Sequence, residues 1–478
     1  MKQPSSSRQS PALTFSLSLW LICTACASLL LFANHVRHVA DQSSSSPQSE
    51  PLLELLSTPR RRQSSRKLRS QTEAKATTTT TTSSIALHQQ LQQQRDETTN
   101  HGLFVTSSAT CTRRQLDRVL EDLPPQHCVS QKPWRNECSI THATKCPDSS
   151  AWLGAHYTSL QLQRQRQGVV DSMFVGINVG CNKAFDAVQM LRMGTFDTSI
   201  QSSLWKKALG HNISNGVCGQ EDESDFPVDA AAAQSSSMVR PGRVHCVEPM
   251  HGTVLALQEA GHATGYIDKG LVVHPPTAVA DRTNGTAYFP TAPQLQEGPL
   301  GYRQHLRIQR GTENMGIDTC RGMKRHKRDA LCTPIPTTTL DQLVHDQQQQ
   351  QDKKNLLLDR IHILKIDVEG YDHAVLLGGG RETLQRTEYV EFEYNWKGEW
   401  KEASLRQTVD TLDSLGFTCY WSGQNKLWRL TSCWLDHFEE KFWSNVACAH
   451  RRLAPSLATR MEQVFENTLK KSPLLQTE

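Results

Sequence analysis

The familiar hydrolase signatures are missing from this sequence. Its 478 residues contain no Gly-x-Ser-x-Gly elbow and no His-Glu-x-x-His helix, so serine-hydrolase and zinc-protease chemistry lack support. Charge of one sign is also scarce. A formal net charge of +4 is too small for this length to argue for nucleic acid as a partner, and none is expected. Apolar residues make up only 37% of the chain and mean hydropathy is -0.52, so much of it is not core. Two of the fourteen cysteines, Cys23 and Cys26, fall in one apolar run, and none of the others shows Cys-x-x-Cys spacing. A zinc ribbon or redox motif in the body of the chain is therefore weakly supported.

What is present begins with that apolar run. No charged residue occurs from Pro11 to Ala33. A helix of this length spans roughly 34 Å, enough to cross a hydrocarbon core of about 30 Å. Residues 11–34 are expected to form a transmembrane signal anchor behind a cytosolic tail, residues 1–10. A cleaved signal peptide is the alternative, although its apolar region is usually only about 7–15 residues. Residues 35–105 hold Ser43 to Ser46, Arg60 to Arg62, six threonines from Thr77 to Thr82 and a Gln-rich piece. Such a composition buries too little apolar surface to offset chain entropy and reads as a disordered stem.

Residues 106–165 form an extension carrying Cys111, Cys128, Cys138 and Cys146, for which disulfides would supply what burial cannot. Sequons at Asn212 and Asn284 agree with a glycosylated lumenal domain. These features together predict a single-pass membrane protein of the endoplasmic reticulum or Golgi, held to the bilayer by its amino-terminal helix.

The chemistry-bearing part comes later. Ile361 to Ile366 reads as a buried parallel strand, and it runs into Asp367, Glu369 and Gly370. Ligands in open α/β sheets sit at the carboxyl ends of strands, where these groups fall. A second strand carries Glu391 and Glu393. In a strict strand Asp367 and Glu369 share one face, as do Glu391 and Glu393. Lys365 is expected in an ion pair with one of these acids. Oxygen ligands of this kind suit a divalent cation, but no histidine stands beside them at metal-ligand spacing, and no metal is expected.

Upstream, Met173 to Asp186 reads as a strand, a tight turn at Gly180 and the start of a helix; the glycine lets the chain approach a ligand closely. Arg243 to Glu248 is a second buried strand ending in an acid, suited to the hydroxyls of a ribose. A carboxylate that caps the following helix is the alternative role for Glu248.

The ordered set Ile177-Asn-Val-Gly-Cys-Asn182, Val247-Glu-Pro249, Thr339-Leu-Asp341, Leu364-Lys-Ile-Asp-Val-Glu-Gly370 and Glu391-Phe-Glu393 resembles the FkbM-type methyltransferases. The resemblance implies a class I Rossmann-like α/β fold, a doubly wound sheet, over residues 166–455. Insertions fall at about 195–240 and 345–355, and a carboxyl-terminal helix and tail at 456–478. It implies S-adenosylmethionine as cofactor, with Asn178, Gly180 and Asn182 along its methionine and adenosyl part. Glu248 would meet the ribose, and Ala278 to Asp281 would border the adenine. Asn178 stands where the family usually has an acid, and Ala184 where it has a last glycine.

The expected activity is O-methyl transfer to a hydroxyl of a glycan, glycolipid or small metabolite. Asp367 would be the base, with Glu369 and Glu393 binding or orienting the acceptor. A cofactor-binding protein without turnover is the alternative, motivated by Asn178 and Ala184. Two loops stand out: Gly311 to Asp318 as a cover for the cleft, and the basic run Met323 to Arg328, either a solvated loop or an attractor of acidic substrates. Near the end, Gly416 to Trp421 and Lys426 to Thr431 predict an antiparallel hairpin.

Overall fold

Short β-branched and apolar runs become the strands of one eight-stranded sheet. They are β1 (Phe174–Val179), β2 (Gly242–Val247) and β3 (Leu271–Val273), then, after a smaller sheet, β7 (Ile361–Ile366), β8 (Thr387–Tyr394), β9 (Phe417–Ser422), β10 (Leu427–Arg429) and β11 (Ser444–His450). The order across the sheet is β10-β9-β11-β8-β7-β1-β2-β3. β3, β2, β1, β7 and β8 are parallel. β1 and β8 are buried along their whole length, as strands covered on both faces must be. The order reverses direction between β1 and β7, which places a crevice beyond their carboxyl ends.

This computed structural model describes residues 110–123, 144, 147–167, 173–210, 239–290, 320–351, 360–441 and 443–470. The chain divides into two units, residues 1–99 and 100–478, and the described residues all lie in the second. The anchor expected over 11–34, the stem over 35–105, the sequon at Asn212 and the Gly311 to Asp318 loop fall outside them. Among the described residues no helix is long and apolar enough to cross a membrane.

The antiparallel side departs from the expected hairpin in one respect. β9 and β10 do pair antiparallel, Trp421 opposite Trp428. A further strand, β11, inserts between β8 and β9 and is antiparallel to both. Its Cys448 faces Cys419 directly, and the two are bonded.

The amino-terminal extension packs on the main core. Thr112 caps helix Arg113–Asp122 through a capping box with Gln115, Asp122 accepts from the Trp428 indole N–H at 2.9 Å, and Cys111 is bonded to Cys433. Val119, Trp152 and Tyr157 join the same hydrophobic core as the sheet. Helix Pro455–Lys470 also buries Leu457, Met461 and Phe465 there.

Among the described residues, parts of the two expected insertions form helices. Within 195–240, residues Ser202–Leu209 form a helix whose Trp205 is fully buried and stacks on Tyr266. Packing of one indole overrode the polar composition around it. The Gln run near 347–351 is the end of helix Leu340–Gln351, because glutamine is a good helix former.

A second sheet has the order β4-β6-β5, from β4 (Ala278–Val279), β5 (Thr286–Pro290) and β6 (Cys332–Thr338). Ala278, Ala287 and Ile335 make its small separate core.

Candidate functional site

The end of β1 and the end of β7 touch through their backbones. Asp367 donates its N–H to the Val179 carbonyl at 2.9 Å. Gly180 has φ +74°, and a Cβ there would stand 1.8 Å from the Asp367 carbonyl oxygen. The glycine therefore makes room for the chain itself. The ligand approach expected of it is secondary, because the carbonyl of Asp367 occupies the space a side chain would need.

Glu248 completes this corner. One carboxylate oxygen accepts the Asn182 N–H at 2.9 Å and the other accepts the Met250 N–H at 3.0 Å. Met250 is the N-cap of helix His251–Thr264, which has no side-chain cap, so Glu248 holds the residue that starts the helix and the glycine turn together. Burial pushes its carboxyl up to about 7; the two backbone donors oppose this, and Asp367 adds to it. Each oxygen keeps a lone pair beyond the one it uses. Thr277 donates its N–H to the Glu248 carbonyl at 3.3 Å, which sets Ala278 beside this corner.

Two further contacts fix the turn. Cys181 is bonded to Cys246, 65 residues away, tying the turn to the end of β2. Behind it, the Trp205 indole donates to the Lys183 carbonyl at 2.8 Å. A cross-link closing a loop of this length contributes ~4 kcal/mol on a chain-entropy account. The Cys181→Ser, Cys246→Ser double variant should lose about that much in urea unfolding, with a steeper unfolding slope because its denatured state is less compact. Both sulfurs are buried, so alkylation of the pair under reducing conditions should require denaturant.

Asn178 lies on β1 between Cys246 and Lys365 in register. It is buried, and its side-chain Nδ2 has no hydrogen-bond partner. A buried unpaired donor costs about 1–3 kcal/mol.

Beside it runs a polar row. The Lys365 ammonium lies 3.0 Å from Asp186 and 3.5 Å from Glu391, which is the ion pair expected of it. Tyr389 donates to Glu391 at 2.7 Å, and Trp152 donates to Tyr389 at 3.3 Å. Although burial alone would lower the Lys365 ammonium, Asp186 and Glu391 outweigh it and raise its pKa above the ordinary lysine value.

The acids of the cleft do not alternate as a strict strand would place them. β7 ends at Ile366, and Glu369 takes a left-handed φ of +57°. That twist turns Glu369 onto Lys397, with which it pairs. Asp367, Glu369, Glu393 and a further acid, Asp372, nonetheless act on one another electrostatically. Asp372 is fully buried, accepting the N–H groups of Gly370 and Glu393, both at 3.3 Å. Glu393 accepts from the Asn395 amide. Burial raises the Glu393 carboxyl well above the carboxylate range; Asp367, Glu369 and Asp372 add to it, and Lys397 opposes.

Asp367 is raised as well: crowding by protein comes first, against Lys365, with Asp186 reinforcing it. Its side chain is nevertheless open to solvent. Water in the cleft weakens this shift, and an occupant that expels the water strengthens it. Among the described residues no group of three or more His, Cys, Asp or Glu is placed to hold a metal ion.

Sequence reasoning identified Asn178, Gly180, Asn182, Glu248, Ala278, Asp367, Glu369 and Glu393, and the fold gathers them at the carboxyl ends of β1, β2, β7 and β8 and the start of β4. It missed Asp372, Lys397 and the Cys181–Cys246 bond. A short-range signal existed only for Asp372, an acid two residues past a glycine turn. The Thr339-Leu-Asp341 piece fastens structure: Asp341 accepts the Thr383 N–H at 2.7 Å and hydroxyl at 2.6 Å.

A comparison with curated proteins finds no match. Residues 311–419, which include β6, β7, β8, the helix Leu405–Ser414 and the start of β9, match the family model described as the methyltransferase FkbM domain.

Proposed function

We propose that this chain is an S-adenosylmethionine-dependent O-methyltransferase acting on a hydroxyl of a glycan, glycolipid or small metabolite, with its catalytic unit in the secretory lumen. The observation that carries the reading is the contact between the glycine turn at Gly180 and the acid-bearing turn at Asp367, with Glu248 against both. The strand order β3-β2-β1-β7-β8 supports a doubly wound Rossmann-like sheet with its ligand crevice at this contact. The FkbM match supports the chemistry.

The cofactor supplies an electrophilic methyl group on a sulfonium. Glu248 offers its remaining lone pairs to a ribose diol. The Asn178 amide offers a donor where an acid would accept, which suits a carboxylate better than an ammonium group. Ala278 offers a flat apolar surface for a base. The acceptor hydroxyl would take the methyl group that the sulfonium supplies, leaving a neutral thioether, and would give its proton to the Asp367 carboxylate. A raised carboxyl is the better base, because its conjugate acid lies nearer neutral pH. Glu369, held by Lys397, and Glu393, held by Asn395, orient the acceptor. Positioning and exclusion of water supply most of the rate.

Asp367→Asn should lower turnover by about 10²–10⁴-fold, the usual worth of a general base. S-adenosylmethionine affinity should stay within a factor of ~3, because the Asp367 backbone contacts remain. Equilibrium dialysis and transfer of labelled methyl to extracted glycans, lipids and metabolites measure both. Binding with no transfer to any acceptor, in both forms, would favour a cofactor-binding protein without turnover. The anchor, the stem and at least four disulfides support the lumenal location, since such bonds persist in oxidising compartments.

A further inference from the structure

The basic run flagged in the sequence is a fixed part of the cleft's rim. Arg325–Leu331 forms a seven-residue helix, too short to persist in water unaided. Cys320 and Cys332, bonded to each other, close its two ends. The Arg328 guanidinium sits 4.1 Å from the centre of the Tyr288 ring on β5. Arg321 donates to the Tyr371 hydroxyl at 2.8 Å. Tyr371 follows the Asp367 to Gly370 turn directly, and its ring lies against Gly398, where a Cβ would be 3.1 Å from it. The residue before Gly398 is Lys397, the partner of Glu369. A short line of contacts thus leads from the cleft acids to the basic helix.

Charge on this rim is one-sided. Within residues 320–332, Arg321, Lys324, Arg325, Lys327 and Arg328 stand against one acid, Asp329, which pairs with Arg325 and Arg328, while Arg321 also acts on Glu399. Lys324 and Lys327 are exposed and make no ion pair among the described residues. The cleft beside it holds Asp367, Glu369, Asp372 and Glu393; Glu369 is paired with Lys397, and burial raises the Asp372 and Glu393 carboxyls. An anionic substituent is attracted to the rim, while a neutral hydroxyl can enter the cleft.

We infer that the methyl acceptor is an anionic saccharide, bearing sulfate or carboxylate groups that the Cys320–Cys332 basic helix holds while a neighbouring hydroxyl enters the acidic cleft. This rests on the methyltransferase reading for the transfer step, and the binding step is testable without it.

The test uses the full-length chain with labelled dextran sulfate, polygalacturonate and neutral dextran. Both anionic polymers should bind, with affinity falling steadily as salt rises, and neutral dextran should not. The Lys324→Ser, Lys327→Ser double variant should bind both about tenfold more weakly. The Lys206→Ser, Lys207→Ser double variant, which loses the same charge on helix Ser202–Leu209, should bind as the unaltered chain does. S-adenosylmethionine binding, measured on the same samples, should be unchanged in each; its absence throughout would sink the methyltransferase reading and leave the rim result standing. Equal loss in the two double variants, or none in either, overturns the proposal. So does equal or tighter binding to a thymidine oligonucleotide or to phosphatidylserine vesicles, which would make the rim a general polyanion or membrane surface.

Discussion

Gly180→Ala should be among the most damaging single-atom changes in this protein, lowering stability by roughly 2–4 kcal/mol. Two effects combine. Alanine resists the left-handed φ of +74°, and its Cβ would fall 1.8 Å from the Asp367 carbonyl oxygen. That oxygen belongs to backbone, so no rotamer relieves the clash. The ends of β1 and β7 must separate, and S-adenosylmethionine binding should be lost with them. Ala184 provides the contrast. It also has a left-handed φ, +58°, but there the alanine is native and the penalty is already present. Ala184→Gly should leave stability unchanged or raise it by about 1 kcal/mol. Urea midpoints of both variants, with cofactor titration, measure the difference. Equal effects would mean that the turn tolerates any small residue and that the contact with Asp367 is incidental.

Lys365→Met should cost about 3 kcal/mol. Removing one member of a buried ion pair leaves the other uncompensated, typically at about 3–5 kcal/mol. The lower figure applies because the Asp186 side chain is 44% exposed, whereas that of Glu391 is 9% exposed. The pH dependence gives a second readout. In the native chain the Lys365 pKa is raised in the folded state, so its contribution is complete below the unfolded lysine value of about 10.4 and is lost as pH rises through the folded one. The variant's deficit should then be constant at neutral pH and shrink at strongly alkaline pH, where the native chain loses the lysine's contribution. Denaturation at neutral and alkaline pH measures it. A deficit independent of pH would assign the loss to packing of the lysine stem.

Much of the site was legible because strand-end chemistry is local. Apolar runs marked β1, β2 and β7, and the residue just past each run is where a parallel sheet presents reactive groups. Gly180, Glu248 and Asp367 could be picked out on that basis. The role of Gly180 could not, since the atom that crowds it lies 187 positions away in sequence. Nor could Lys397 as the holder of Glu369, which depended on a left-handed residue that composition does not announce. β11 was missed for a related reason. A strand that inserts between two earlier ones owes its place to pairing partners far back in the chain.

The sequence by itself determined that β1, β2, β7 and β8 are strands and which of their ends carry carboxylates, because period, apolar content and turn residues act over a few positions. Only the tertiary structure decided which strand ends meet, which cysteines pair, that Asn178 is left with a buried unpaired donor, and that a basic helix stands beside an acidic cleft. These depend on distances between residues tens to hundreds of positions apart, which chain order does not encode locally and which packing of the whole sheet sets at once.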